Sequence, residues 1–288
     1  MTWRRGIEIK NDAELERMAR AGRVNAEALL AAVEVVRPGV TTAEIDAAAA
    51  EVLRKHGAMP AFLGYPGPTP YPAVTTVSVN EELVHGIPAG RRLNEGDIVS
   101  IDCGAIVDGF VGDSAVTVPV GDVAPDSWRL ILATLTGLWA GVAMMIPGKR
   151  TGDVSAAIQA AVEERGFSVT RDYTGHGVGR AMHEDPQVPN YGTVGKGPLL
   201  RPGMTIALEP MVLAGSPETR VRDDGWTVVS RDGRRTAHFE HSVAVTSAGP
   251  RVLTSLPNPH LDGPRADWYN RFFAGIPLPA EAQGVPAL

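Results

Sequence analysis

The run Asp97-Ile98-Val99-Ser100-Ile101-Asp102-Cys103-Gly104-Ala105-Ile106-Val107-Asp108-Gly109-Phe110-Val111-Gly112, closed by Asp113, decides the fold. It reads as an alternating strand, an Asp-Gly turn and a return strand, which is the pattern of a β-hairpin. With Asp108-Gly109 as a two-residue turn, Asp102 faces Ala115 and Asp113 faces Gly104. Facing residues share a sheet face, as do positions two apart along a strand. The two carboxylates therefore fall on one face as diagonal neighbours, roughly 7–8 Å apart at Cα. A one-residue slip would separate them. Two ionised carboxylates among Val99, Ile101, Ile106 and Val111 repel each other and are desolvated. They must share either a proton or a cation.

The flanking chain repeats a plan. Asn11-Asp12 and an apolar period through Leu15, Met18, Leu29, Leu30, Val33 and Val36 predict a helix stopped by Pro38-Gly39. Thr41-Thr42-Ala43-Glu44 is a capping box for a second, Ala-rich helix ending at His56-Gly57. The Pro- and Gly-rich stretch from Phe62 to Pro72 is a shaped loop, and Val74 to Val79 reads as a strand. Beyond the hairpin, a long apolar helix is expected from about Trp128 to Met145, stopped by Pro147-Gly148, and another from Asp153 to Arg165-Gly166. Residues 147–166 align without a gap on 38–57 through Pro38/Pro147, Gly39/Gly148, Thr42/Thr151, Ala47/Ala156, Ala48/Ala157 and Gly57/Gly166. Leu93-Asn94-Glu95-Gly96 up to Asp102 likewise aligns with Leu200-Arg201-Pro202-Gly203 up to Glu209. A duplicated helix–helix–strand unit explains both matches.

The duplication sets Glu209 where Asp102 sits in the first half. Glu240 follows on a later strand, as Asp113 does. Trp226 to Ser230, the turn Arg231-Asp232-Gly233 and Thr236 to Thr246 are expected to form a second hairpin. The fold class is then α+β: a pseudo-two-fold, duplicated, curved antiparallel sheet with helices on its outer face. The expected organisation is one catalytic domain over residues 1–255, with pseudo-repeats at about 11–120 and 126–250, and a proline-rich tail over 256–288.

Four carboxylates meeting without a cation would cost many kcal/mol, and Lys and Arg are scarce around them. His176, set between glycines in Thr174-Gly175-His176-Gly177, adds an imidazole. Asp, Asp, His, Glu and Glu form a hard donor set that suits Mn, Fe, Co or Zn, and it points to two divalent ions about 3.5–4 Å apart. Such a centre makes a nucleophile at neutral pH and polarises a carbonyl.

The remaining composition narrows the classes. A net charge of −6 offers no electrostatic case for nucleic acid. No apolar run is long enough for a signal peptide core or a membrane span, so a cytoplasmic protein is expected. The lone Cys103 excludes an internal disulfide and a CxxC zinc site, and reads as a buried small hydrophobe.

The segments around His85, Asp102, Asp113, His176, His183, Glu209 and Glu240, with Asp224-Gly225-Trp226-Thr227-Val228, resemble type I methionine aminopeptidase, of the pita-bread fold, over about residues 8–256. The resemblance implies Asp102, His176 and Glu209 as terminal metal ligands, with Asp113 and Glu240 bridging two ions. It implies that His85 and His183 stay off the metals, positioning the scissile amide and stabilising developing charge, and that Glu209 carries the proton. A methionine pocket of Phe62, Tyr65, Tyr71, Thr76, Met182 and Trp226 follows, bordered by His85 and His183. The implied activity is removal of the initiator methionine from nascent chains whose second residue is small, by a monomer working near the ribosome. Met1-Thr2 would itself be such an N-terminus.

The chain departs from the family in the pocket. Thr76 and Phe62 stand where many relatives carry cysteine, Met182 stands where many carry phenylalanine, and the Pro66–Pro72 loop is a few residues longer. The 25 residues between His183 and Glu209 and the 30 between Glu209 and Glu240 leave no room for the helical insert of type II enzymes. No zinc-binding N-terminal extension is expected either. Two other functions compete. An Xaa-Pro enzyme of the same fold would lack Asp224-Gly225-Trp226-Thr227 and carry a large N-terminal domain, for which residues 1–10 leave no space. A non-catalytic peptide-binding relative would have lost ligands. Taken one at a time, the residues have plainer readings: Asp102 and Asp113 as solvated strand carboxylates, His85 and His183 as loop or core histidines, Tyr65, Tyr71 and Trp226 as packing aromatics. His238 and His241, flanking Glu240, read as structural or as supports behind the ligands, and not as ligands themselves.

Overall fold

A computed structural model describes residues 4–263 and 266–279. The hairpin forms in the expected register: Ile98–Val107 pairs with Phe110–Pro119, with Asp102 opposite Ala115 and Gly104 opposite Asp113. Asp108 and Gly109 both take positive φ, 51° and 75°, the geometry whose twist suits a two-residue hairpin. Thr75–Val79 and Met59–Pro60 add to the other edge of Ile98–Val107. Every residue from Ile98 to Ala105 is buried, so this strand is covered on both faces.

The second half and the N-terminal strand Arg4–Ile7 build a six-stranded sheet in the order Arg4–Ile7, Glu184–Pro189, Thr174–Gly177, Thr205–Leu208, His241–Thr246 and Gly249–Val252. All its pairs are antiparallel except the parallel first one. The halves meet along Phe110–Pro119. Ala115 and Glu240 exchange backbone hydrogen bonds at 3.4 and 2.8 Å. Beside them, Ser242 Oγ accepts from the Asp113 amide and donates to its carbonyl. This seam carries one half's carboxylates to the other's.

Helices cover the outside. The first, α1 (Asp12–Glu34), and the second, α2 (Thr42–Lys55), both begin at reciprocal capping boxes, Asn11/Glu14 and Thr41/Glu44. The third, α3 (Pro125–Ala143), starts three residues before the expected Trp128, because Pro125 at the first helical position already has a helical φ. The fourth, α4 (Thr151–Glu163), starts two residues before Asp153. The halves use equivalent bonds. Gly39 N–H donates to Leu93 O where Gly148 N–H donates to Leu200 O, and Thr42 N–H to Arg91 O where Thr151 N–H reaches Pro198 O. Helix α1 lies so close on the hairpin that a Cβ at Gly112 would sit 2.5 Å from the Gly22 nitrogen. Asn25 Nδ2 donates to Ser114 Oγ at 2.7 Å, so α1 grips the strand on both sides of Asp113.

Two expectations need correction. Val228–Ser230 and Thr236–His238 do not form a hairpin. Val228–Ser230 lies between Thr219–Val221 and Glu82–Val84, while Thr236–His238 pairs with Met211–Leu213. The turn sequence is local, but both strands find better partners elsewhere. Nor is Thr236 to Thr246 one strand: it breaks at Phe239-Glu240, and the break lets Glu240 pair with Ala115. The proline-rich C-terminal stretch contains an unforeseen helix, α5 (Ala266–Phe273), with Trp268, Tyr269, Phe272 and Phe273 buried. Phe272 stacks on His241 at 4.2 Å, and the Tyr269 hydroxyl donates to Thr117 O.

Candidate metal centre

Asp102 and Asp113 reach the centre from the hairpin, Glu240 from the break that pairs with Ala115. His176 lies on Thr174–Gly177, opposite Ala207 on Thr205–Leu208. Glu209 directly follows Leu208, so its side chain emerges beside His176, with Glu209 Oε1 3.3 Å from His176 Nε2. Asp113 Oδ2 lies 3.9 Å from the same nitrogen. Single ligand atoms of Asp113, His176 and Glu240 all fall within 4.8 Å of one another. The five expected ligand side chains line one cavity of about 270 Å³.

Burial sets the electrostatics. Asp113 is pushed up to about 7 by desolvation, against a hydrogen bond with Glu240 that lowers it. Asp102, Glu209 and Glu240 are raised well above the usual carboxylate range, first by burial and then by the charge of Asp113. Asp102 Oδ1, Asp113 Oδ1 and Glu240 Oε1 are buried without a hydrogen-bond partner. The histidine states the same need. His176 Nδ1 lies 2.9 Å from Gly177 O, an atom that only accepts, so Nδ1 carries the proton. Nε2 then turns a lone pair toward Glu209 and Asp113. A lone pair facing carboxylate oxygens is repulsive unless a proton or a cation lies between them. The donor set thus fits a divalent metal ion, hard oxygens plus one imidazole whose other nitrogen is fixed by a carbonyl.

The remaining expected site residues line the same cavity: Phe62, Tyr65, Tyr71, Thr76, His85, Met182, His183 and Trp226. The Pro-Gly loop packs on Trp226, whose Nε1–H donates to Thr69 O at 3.1 Å, and a Cβ at Gly67 would collide with the indole. Asp224 holds the base of this wall by accepting from the amides of Trp226 and Thr227 and from the Thr227 hydroxyl. Tyr71 meets the indole edge-on at 5.1 Å. Thr76 pairs with Asp102 across the sheet and ties the pocket to this expected ligand.

His85 takes φ +61°, a conformation that costs a non-glycine residue about 1 kcal/mol or more, and it does so at the cavity wall. Burial lowers it to about 4, so it is neutral near pH 7. His183 is lowered to about 2, first by burial and then by His176 and His85. Its Nδ1 lies 2.6 Å from the Tyr65 hydroxyl.

One further histidine reaches the cavity. His238 lines the cavity, and its buried Nε2, without a hydrogen-bond partner, lies 3.7 Å from Glu209 Oε2 and 3.9 Å from Glu240 Oε2. Its position two residues before Glu240 was the available signal, since alternation along an extended chain returns it to the same side. His241, on the other side of Glu240, contacts Thr254, Phe272 and Trp139 instead. Asp172, Tyr173 and Gln187 also reach the cavity.

Comparisons with known proteins agree with this geometry. Residues 16–247 match the model of metallopeptidase family M24. The methionine aminopeptidase 1 of Bacillus subtilis is 48% identical over 250 residues, which cover 87% of this chain and all of that one. The methionine aminopeptidase of Clostridium acetobutylicum is 46% identical over 249 residues, 86% of this chain and 98% of that one. The crystal structure of methionine aminopeptidase from Thermotoga maritima superposes with a TM-score of 0.84 at 48% identity, over 86% of this chain and 99% of that one. With its hard-ligand cluster beside an apolar pocket, the chain belongs to metallopeptidase family M24, in the branch of the bacterial methionine aminopeptidases.

Proposed function

We propose that this chain removes the N-terminal methionine from proteins whose second residue is small, by metal-dependent hydrolysis. The observation that carries it is the junction of two environments in one cavity. An apolar wall of Phe62, Tyr65, Tyr71, Met182 and Trp226 adjoins buried carboxylates with unpartnered oxygens. We assign Asp102, Asp113, His176, Glu209 and Glu240 to two divalent ions of the Mn, Fe, Co or Zn type. The charge supports two: a pair of dications neutralises four carboxylates, whereas one leaves two buried charges uncompensated. When bound, the ions supply a Lewis acid for the scissile carbonyl and lower the pKa of a water.

The side chains do the rest. The aromatic wall takes the methionine side chain and orients the following amide toward the acidic end. His183 accepts a hydrogen bond from Tyr65 at Nδ1 and so presents Nε2–H to the carbonyl oxygen as charge grows there. Being neutral, it donates a hydrogen bond without giving up its proton. His85 orients the same amide from the opposite wall. Glu209, 13% exposed where Asp113 and Glu240 are 2%, takes a proton from the attacking water and passes it to the leaving amine. The natural substrates are N-terminal peptides of nascent proteins, met near the ribosome by a cytoplasmic monomer. No described helix is long and apolar enough to cross a membrane.

The test compares Met-Ala-Ser with its N-acetyl form and with Leu-Ala-Ser. The proposal expects turnover of the first alone, lost on chelation and restored by added metal. Equal turnover of the acetylated peptide would overturn it. Preferential cleavage of Xaa-Pro dipeptides would favour the alternative activity of the same fold.

A further inference from the structure

Outside the cavity lies a buried ion pair with no part in metal binding. Lys10 Nζ meets Glu184 Oε2 at 2.5 Å, with side chains 3% and 0% exposed. The other carboxylate oxygen, Glu184 Oε1, accepts from the amides of Arg180 and Ala181 at 2.8 and 3.1 Å. Glu184 therefore closes the loop Gly179–His183 from inside, and that loop carries Met182 and His183. Lys10 passes directly under it, since a Cβ at Gly179 would sit 2.4 Å from Lys10 Cε. The lysine is itself anchored, its amide donating to Gly203 O at 2.8 Å. On the far side, Val111 N–H donates to Gly179 O, and the Arg180 guanidinium lies over Phe110 and bonds Glu14. The loop is thereby fixed to the strand of Asp113 and to the start of α1.

We propose that Glu184 is the positioning residue for Met182 and His183, and that Lys10 is the counter-charge that lets this carboxylate stay buried. A neutral acceptor could hold the two amides, but an uncompensated buried carboxylate could not remain in place. The N-terminal segment thus sets the active-site geometry without touching substrate. This rests on the assignment of His183 to the reaction, so the test needs a readout independent of turnover.

Three variants separate the roles: Lys10→Met, Lys10→Met/Glu184→Gln and Lys10→Met/Glu184→Leu. Lys10→Met strands the charge, and kcat on Met-Ala-Ser is expected to fall at least about tenfold, with KM changed less than about threefold. The Met/Gln pair keeps an acceptor for Arg180 and Ala181 and should recover most of the loss. The Met/Leu pair fills the volume without an acceptor and should not recover. If Lys10→Met fails to fold, the two double variants alone decide. In a His183→Ala background, Lys10→Met should cost no further kcat. Independently of activity, ¹⁵N spectra of the imidazoles should show the His183 nitrogens moving in the Met/Leu pair while those of His241 stay unchanged. Wild-type kcat and an unmoved His183 signal in the Met/Leu pair would overturn the proposal. A moved signal in protein inactive from the start would instead count against the role given to His183 and leave the clamp standing.

Discussion

Removing the metal should make stability fall as pH rises, and bound metal should abolish that slope. A carboxyl whose pKa is raised by folding gives its full stabilisation below its unfolded value and loses it as pH climbs through the folded value. Asp113 titrates at about 7, and Asp102, Glu209 and Glu240 are raised well above their ordinary range. The buried histidines act oppositely: His85 and His176 are lowered to about 4, His238 and His241 to about 3, so they weaken the fold as pH falls below about 6.5. The window from about pH 7 to 8.5 lies above their influence. There each carboxyl still protonated in the native protein gives a slope of about −1.4 kcal/mol per pH unit. For a chain of this size that is roughly 3–5 °C of melting temperature per unit for each such group. The assay is thermal melting of chelator-stripped and Mn²⁺-loaded protein across the window, followed by far-UV circular dichroism. The stripped protein should lose about 3–5 °C per unit for each carboxyl still protonated while the loaded protein stays flat, and Glu240→Gln should make the stripped slope shallower. Parallel curves for the two forms would refute the reasoning, because the carboxylates would then not depend on a cation.

Other outcomes follow from single contacts. Tyr65→Phe keeps the aromatic wall and deletes the bond to His183, so kcat should fall about tenfold with KM little changed, corresponding to about 1–1.5 kcal/mol. Trp226→Ala removes the wall and the perch of the Pro-Gly loop, so KM for Met-Ala-Ser should rise at least about tenfold, with metal content by elemental analysis unchanged. Gly112→Ala drives a methyl into the α1 backbone, so urea unfolding should show a loss of about 2 kcal/mol or more.

The first half was legible because its determinants are local. Asp108-Gly109 fixes a hairpin register within two residues, and that register sets Asp102 and Asp113 together. The capping box at Thr41 spells its helix in four residues, and the apolar period after Asn11-Asp12 does the same over a longer run. The internal repeat then carried the reading to Glu209. Elements fixed by distant partners were not legible. Val228–Ser230 has a turn signal toward Thr236, yet pairs with Glu82–Val84 from the other half. Helix α5 hid among prolines, although Trp268, Tyr269, Phe272 and Phe273 keep the i, i+1, i+4, i+5 spacing of one buried face. Lys10 and Glu184 are 174 positions apart, and neither has a local pattern that announces the other.

The same limit explains the site. His85 and His183 entered through the family resemblance and not through any spacing. Their setting is tertiary: a left-handed backbone at His85, and the Tyr65 hydroxyl on His183. For His238 the two-residue spacing to Glu240 gave only the shared side of the chain; that its unpartnered Nε2 faces Glu209 is set by the tertiary fold.

The most direct test counts ions. Stripped protein is dialysed against Mn²⁺, and bound metal per chain is measured by mass spectrometry of the element, alongside Asp113→Asn and Glu240→Gln. Two ions per chain are predicted for the native protein, with at most one retained when either carboxylate is neutralised. A native protein holding none, or variants holding as many ions as the native chain, would contradict the account.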